Sequence, residues 1–459
     1  MQATVRAALR SVVGPGHYRE TDGELIPYSR DATPLFHARP DAVVFPADTA
    51  EVAAVLDIAT RHTIPVIPRG AGSNLCAATV ASQGGIVLVL TRLNQILEVA
   101  PAELLARVQP GVTSATLANA AQQENLLWAP DPGSRTVATI GGTIATNAGG
   151  LRGLKYGVTR DYVLGLEAVL PNGEIIRTGG RLNKDVAGYD LTRLLTGSEG
   201  TLAVITEATL ALRPAPTTSG TGVAYFPDLA AAGNAVTAII AAGILPATLE
   251  FLDAPCIQAV ENFAHLQLRT DAGALLLFGD DGESDAVARA LARMSDICTA
   301  HQALDVTTAA EVAQAEALLA ARRCALPALS RLGDLTILED ATVPRPRIAE
   351  MVERISSIAA RHDVTIATFG HAGDGNLHPT CIVKSRDDTE SIARAERAFA
   401  DIFAAAIDLG GTITGEHGVG AAKLPYLAAQ LGAQQLALLR RLKTAFDPAG
   451  ILNPGKLGS

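Results

Sequence analysis

The patterns along the 459-residue chain predict an α+β protein in two parts. The first part is rich in glycine and tight turns; the second sets helices against an antiparallel sheet. Three observations carry this. The chain exceeds the usual size of a single hydrophobic core, so two or three domains are expected. Short β-type runs alternate with helical patterns from end to end, and the helical ones lengthen in the second half. Between the halves lies Arg213–Gly222 (RPAPTTSGTG), whose cluster of Pro, Thr and Gly predicts a linker.

In the first part, residues 48–62 predict a helix with Asp48 as its cap and Glu51 three positions on. β-type runs follow at 65–68, 86–90, 96–99 and 104–108, and a second helix opens near Thr113. The runs 164–170 and 174–178 flank Pro171-Asn172-Gly173, a hairpin turn by composition. Residues 202–212 close this part with further β-type sequence. Beyond the linker, helices are expected at 228–243, 284–301, 309–330, 346–361, 387–409 and 433–446. They alternate with strands at 247–252, 274–279, 335–339, 364–370 and 377–383, without a repeat of fixed period.

Hydrophobic residues make up 48% and charged residues 18%, which excludes a largely disordered chain. Aromatics are 4%, so Ala, Val, Leu and Ile must fill the core. The formal net charge is −10 and no basic run stands out, which argues against a nucleic-acid partner. An acidic protein acting on an anion needs local positive charge at its site, so single Arg and Lys residues matter. Cys76, Cys256, Cys298, Cys324 and Cys381 are scattered without a CxxC pair, the pattern of reduced thiols in a cytoplasmic protein. The N-terminal stretch lacks the apolar run of a signal peptide, and the apolar residues 235–245 are too short to span a bilayer. The expectation is a cytoplasmic protein with at most peripheral membrane contact.

Arg69-Gly70-Ala71-Gly72-Ser73-Asn74 has the start of a dinucleotide fingerprint, but its context is wrong for a nicotinamide site. A helix precedes the strand, the third glycine is missing, and loop then strand follow. Small residues in succession still allow backbone N–H groups to form an anion-binding nest. A second small-residue block, Thr139–Gly150 (TIGGTIATNAGG), adds to this: two blocks without side-chain bulk suit a long, flat cofactor lying along the backbone. The competing reading is tight turns and close packing alone.

His371-Ala372-Gly373-Asp374-Gly375-Asn376-Leu377-His378 lies between two β-type runs. A two-residue Asp374-Gly375 turn would set His371 directly opposite His378, with Cβ atoms about 5 Å apart. Two such imidazoles can converge on one cation at about 2.0–2.1 Å. Gly415-Glu416-His417-Gly418 offers a carboxylate and a further imidazole on a stretch that glycine lets approach closely. Two His and one Glu with an open position is the pattern of a catalytic divalent metal, zinc first, with manganese or iron as alternatives. The competing reading is a surface hairpin with satisfied histidines.

Taken together, RGAGSNL, PDPGS, ATIGGTIATNAGG, GYDLTRLLTGSEGTLAVIT, FGHAGDGNLHP, TGEHGVG and FDPAGILNPGK resemble the FAD-linked 2-hydroxy-acid dehydrogenases, in order from Tyr28 to Leu457. That family includes the glycolate oxidase flavin subunit, D-lactate dehydrogenase and D-2-hydroxyglutarate dehydrogenase. The resemblance implies a vanillyl-alcohol-oxidase-type (PCMH-type) FAD-binding domain at 35–215, after a helical segment at 1–34. An α+β FAD-linked oxidase C-terminal domain, for substrate and metal, would occupy 216–459.

By the same resemblance, Arg69, Gly70, Ala71, Gly72, Ser73 and Asn74 cradle the FAD pyrophosphate. Pro130, Asp131, Ser134, Thr139, Gly141, Gly142, Ala145, Gly149 and Gly150 line the cofactor. Glu199, Gly200 and Ile205 approach its nucleotide half, and Asn453 closes the site from the C-terminus. FAD is expected to be non-covalent, because no His or Cys in these segments matches a linking position. His371, His378 and Glu416 match the family's metal ligands, and His417 its catalytic base. Arg322 matches an arginine that holds the substrate carboxylate, a task its bidentate fork suits, with Arg323 as second choice. Two departures are visible. Cys76-Ala77-Ala78 stands where relatives often carry Ser-Gly-Gly. Thr380 stands where hydroxyglutarate-type enzymes tend to have Asn, and His378-Pro379 is of the glycolate/lactate type, which favours a short acid.

The implied reaction is metal-assisted oxidation of a small D-2-hydroxy acid, with His417 as base and hydride transfer to flavin N5. Electrons would then pass to an external acceptor: a quinone, a cytochrome or an electron-transfer flavoprotein. A homodimer or partner subunits are both compatible with the chain. The alternatives are a transferase like the alkylglycerone-phosphate synthases, which use FAD without net oxidation, or the flavin subunit of a multi-subunit oxidase.

Overall fold

The computed structural model describes residues 1–309 and 312–458. These divide into two compact units: Met1–Gly149 with Gly157–Ala215 and the segment from Glu416 onward, and Gly150–Tyr156 with Pro216–Gly415.

In the first unit, parallel strands Ala42–Val44, Ile86–Val89 and Val66–Arg69 form one sheet, with Tyr18–Arg19 antiparallel at its edge. A second, antiparallel sheet has the order Ile96–Ala100, Leu105–Val108, Val204–Ala211, Val163–Val169, Ile175–Gly179. The helix Thr49–Arg61 starts where the sequence places it. The Asp48 side chain accepts from the Glu51 N–H at 2.9 Å, and the Glu51 carboxylate accepts from the Ala47 N–H at 2.7 Å. Its buried residues Val52, Val55, Leu56, Ile58 and Ala59 share one core with Val44, Ile86 and Leu88 of the first sheet and Val169 and Val204 of the second. Full burial of each such aliphatic side chain is worth about 1.5–3 kcal/mol, so this helix joins the sheets by apolar packing. Val5, Leu9 and Val13 of the N-terminal helix Ala3–Val13 enter the same core, as do Ile451 and Leu452 near the other end of the chain. The Pro171-Asn172-Gly173 turn is present: Val169 pairs with Ile175, and Gly173, at φ 82°, donates its N–H to the Leu170 carbonyl.

The second unit is built on an antiparallel sheet in the order Asp305–Thr308, Thr218–Phe226, Ala274–Gly282, Thr248–Asp253, Thr365–His371, Asn376–Val383, Leu335–Leu338, with Ala341–Thr342 also paired to Asn376–Val383. Long amphipathic helices accompany it. Ile348–Arg361, for example, buries Ile348, Met351, Val352, Ile355 and Ile358, spaced three or four apart on one face.

Two expectations need correction. The Pro, Thr and Gly cluster is not an open linker: Arg213–Pro214 pairs with Leu126–Leu127, and Thr218 begins a nine-residue strand. Gly222 marks close cross-strand packing instead, since it sits opposite Phe278, whose ring fills the space a Cβ would need. The helix expected at 309–330 is two helices, Val312–Arg323 and Ala325–Leu329; residues 310 and 311 of that expectation lie outside the described residues. The helix expected at 433–446 is present and ends at Phe446; non-helical Gly432, at φ 74°, separates it from a helical turn that begins at Leu427. Four helices, Ile140–Thr146, Gly153–Tyr156, Leu191–Leu195 and Ala254–Ala264, have no counterpart among the expected elements.

Candidate active site

In the first unit, the strand Val66–Arg69 delivers the chain into the loop 70–79. Arg69 does not project from it. The guanidinium is buried, donating to the Arg30 carbonyl at 2.7 Å and to Thr79 Oγ1 at 3.1 Å, so it braces the loop from within. Gly72, at φ 75°, lies over that guanidinium, where any Cβ would collide with it. Among the described residues, the N–H groups of Ala71, Gly72, Ser73 and Asn74 donate to no protein acceptor, the condition of an anion-binding nest. Asn74 Oδ1 accepts from the N–H groups of Cys76 and Ala78, both at 2.9 Å, and closes the loop. Ala77 holds φ 59°, in the left-handed region that glycine enters most readily.

The small-residue block becomes the helix Ile140–Thr146, capped by Thr139 Oγ1 on the Gly142 N–H. Gly141 packs on Pro110, and the Ala145 carbonyl accepts from the Glu199 N–H at 2.8 Å. Pro130 accepts from Ser114 Oγ, buried Asp131 pairs with Arg135 at 3.1 Å, and Ser134 caps the following turn through its carbonyl. Gly200 turns at φ 68°, and Ile205 is buried in the strand Val204–Ala211. Gly150 belongs to the second unit.

Glu199 has a role the sequence reading did not anticipate. It is buried at φ 54°, and its two oxygens accept the N–H groups of Val419 and Gly420 at 2.6 and 2.7 Å. Burial raises its carboxyl pKa above the ordinary value, against the pull of those N–H groups and of Lys456 and Lys423. It therefore clamps the loop that carries Glu416 and His417. The same loop is tied at its other end: the His417 carbonyl accepts from Cys76 Sγ at 3.2 Å and from Asn74 Nδ2 at 3.4 Å. The Glu416 carboxylate lies against Gly149, where a Cβ would stand 2.8 Å from Oε2. Buried Asn453 donates Nδ2 to the carbonyls of Glu199 and Ala78, at 2.8 and 2.9 Å, and its Oδ1 is buried without a partner among the described residues. The segments that the resemblance assigns to the flavin and the loop bearing Glu416 and His417 are thus one bonded assembly inside this unit.

In the second unit, the histidine hairpin has a different register from the one expected. His371 pairs with Asn376, and His378 faces Phe369. The turn is Ala372–Gly375, not a two-residue one, because neighbours hold every part of it. The Gly373 N–H goes to the Leu249 carbonyl at 3.1 Å, the Gly373 carbonyl accepts Arg345 Nε at 2.5 Å, and the Gly375 carbonyl accepts the Val343 N–H at 3.0 Å. A shift of two residues preserves the face, so His371 and His378 still meet, with ring centroids 5.2 Å apart and both rings buried.

Two buried carboxylates flank them. Glu250 Oε1 is 2.7 Å from His371 Nδ1, and Glu250 Oε2 accepts Arg322 Nε at 2.7 Å. Asp340 Oδ1 lies 4.0 Å from His378 Nδ1; Oδ2 accepts Thr414 Oγ1 and the Gly415 N–H, both at 2.8 Å. The sequence reading named neither, although a Glu within the apolar run 247–252 was a signal: a charge there needs partners. Arg322 is buried, with its guanidinium 4.6 Å from the centre of the Phe369 ring, whereas Arg323 is exposed.

Residues 215–457 match the model of the FAD linked oxidases, C-terminal domain, and residues 40–179 match the FAD binding domain. The chain is 52% identical to the glycolate oxidase subunit GlcD of Bacillus subtilis (strain 168), over 99% of this chain and 96% of that one. It is 37% identical to a D-lactate dehydrogenase of Anaerostipes hadrus, over 92% and 90%. Among solved structures, p-cresol methylhydroxylase with substrate bound superposes with a TM-score of 0.85 at 18% identity, over 99% of this chain and 96% of that one, a likeness of fold. The architecture is the PCMH-type FAD-binding domain with the FAD-linked oxidase C-terminal domain. The chain belongs to the FAD-linked oxidases, and is an FAD-dependent oxidoreductase acting on CH–OH groups.

Proposed function

We propose that this chain oxidises a small D-2-hydroxy acid to the 2-oxo acid, with D-lactate or glycolate ahead of D-2-hydroxyglutarate. The observation that carries the reading is the anchoring of the Glu416-His417 loop on the segments assigned to the flavin, through Glu199, Asn74 and Cys76. Residues 35–215 would hold FAD without a covalent link, the N–H groups of Ala71–Asn74 facing its pyrophosphate. His371, His378 and Glu416 would hold a divalent cation, zinc ahead of manganese or iron. Glu416 follows directly on Gly415, whose N–H is bonded to Asp340 beside His378.

When bound, the two groups supply a hydride acceptor and a Lewis acid. The chain's own part is to orient and to move a proton. His417 takes the hydroxyl proton, work that suits an imidazole near neutral pH. Arg322 holds the substrate carboxylate through its terminal nitrogens, because Glu250 already fixes Nε. Electrons leave to an external acceptor, a quinone, a cytochrome or an electron-transfer flavoprotein, and the protein works in the cytoplasm, meeting any membrane-borne acceptor peripherally. Among the described residues no helix is long and apolar enough to cross a membrane.

A second reading, the flavin subunit of a larger oxidase, is favoured by the relative named as a glycolate oxidase subunit. The transferase alternative has support from fold alone, since an alkyldihydroxyacetonephosphate synthase superposes at 20% identity. Anaerobic absorbance of the purified protein, before and after D-lactate, glycolate or D-2-hydroxyglutarate, separates these. Bleaching of the flavin band by one acid, abolished by chelator, is the expected result. A flavin band that no 2-hydroxy acid bleaches would overturn the oxidation by the isolated chain.

A further inference from the structure

We propose that Glu250 is the positioning residue that makes His371 a metal ligand and couples it to the arginine that receives the substrate carboxylate. This rests on the metal reading above and goes beyond it, since no family motif drew attention to Glu250. The placement follows from strand register. Phe251 pairs with Gly370 and Leu252 with Phe369, so one step further sets Glu250 directly opposite His371, on the same face. The next strand brings His378 opposite Phe369. Three neighbouring strands thus align Glu250, His371 and His378 on one face of the sheet.

The chemistry follows from how Glu250 divides its oxygens. It is 1% exposed, so a charge there is costly unless both oxygens are engaged. Oε2 takes Arg322 Nε and Oε1 takes His371 Nδ1, each at 2.7 Å. A carboxylate at Nδ1 fixes the neutral ring as the Nδ1–H tautomer and leaves the Nε2 lone pair for a cation. The ring also cannot rotate without breaking that bond. On the other side, Arg322 is held by Nε and by the Phe369 face, which leaves Nη1 and Nη2 as a fork of fixed direction. One carboxylate therefore sets both a metal ligand and an anion receptor.

The test uses the full flavin-loaded protein, stripped of metal and titrated with zinc against a chromophoric chelator. Glu250→Gln should weaken zinc binding by about 10–100-fold, the range for losing such a carboxylate partner, with FAD content unchanged. Its KM for the 2-hydroxy acid should rise as well, because Arg322 loses its anchor. His371→Ala should abolish tight zinc binding. Unchanged zinc affinity in Glu250→Gln, with loss in His371→Ala, would overturn the positioning role and leave the metal reading intact. Unchanged affinity in both would sink the metal reading, and the positioning role with it. Should Glu250→Gln fail to fold, ¹⁵N spectra of histidine-labelled wild-type protein without metal decide: His371 is expected as the Nδ1–H tautomer, and an Nε2–H signal overturns the proposal.

Discussion

The two stretches that bear the chemistry are held in opposite ways. His371 and His378 sit on a hairpin whose ladder, turn and flanking strands fix them through many backbone bonds. Glu416 and His417 sit on a loop outside any strand, and one buried carboxylate, Glu199, takes two of its N–H groups. The hairpin spreads its constraint over many backbone groups; the loop rests on a few side chains, Glu199 foremost, with Asn74 and Cys76 at its other end. Precision in a loop is therefore as good as its clamp, and a clamp is open to single substitutions in a way that register is not.

Substitutions that strike the loop directly should have the largest effect. His417→Ala should slow anaerobic flavin reduction by about 10²–10⁴-fold while FAD stays bound, read by stopped flow on protein of unchanged flavin content. A wild-type rate would remove His417 as the base. Glu199→Ala comes next. It strands the N–H groups of Val419 and Gly420, at about 1–3 kcal/mol for each unsatisfied group, and should lower kcat more than it raises KM. A truncation farther along the hairpin ladder, Ile382→Ala, should leave the register and most of the turnover in place; equal losses from both would break the comparison.

Gly149→Ala should cost about tenfold in turnover, equivalent to about 1.4 kcal/mol, because its Cβ would displace the Glu416 carboxylate. A gentler test bears on the register side. Asp253 caps the helix Ala254–Ala264 and accepts the Thr368 N–H, tying two strands of the histidine face together. Burial pushes its carboxyl up to about 6, above its unfolded value. The neutral form is the one the fold prefers, so this contribution is full below about pH 4 and is lost as pH rises through about 6. The stability advantage of wild type over Asp253→Asn, measured by denaturant unfolding, should shrink by on the order of 1 kcal/mol between pH 4.5 and 7.

Much of this was legible because period and turn chemistry are local. The Asp48 cap, the Pro171-Asn172-Gly173 turn and the strands around the histidine hairpin came from a few adjacent residues each. The hairpin register was misjudged because Leu249, Val343 and Arg345, all distant in sequence, stretch the turn. Its face survived, since parity is a property of the strand. The Thr218–Phe226 strand was hidden for a similar reason: Gly222 reads as loop until Phe278 is set across from it. The roles of Glu199, Glu250 and Asp340 depend on partners 36 to 221 positions away, and no window of sequence holds them. The glycine-rich blocks, the histidine hairpin and the Glu416-His417 segment are legible from their own residues, and the resemblance assigns them roles; neither holds the side chains that keep them still.

The return of the chain to its first unit has a consequence for synthesis. Val66 receives its bridge from Leu452, and Asn453 fastens Glu199 and Ala78, so the first unit lacks these ties until the segment beyond Gly415 has followed the second unit out of the ribosome. At about 5–20 residues per second, the Val66 strand waits on the order of a minute or less for its neighbour while the second unit is made. Strands translated ahead of the second unit are thus completed only after it. A chain broken off before Leu452 would keep a sound second unit and an unlatched first one.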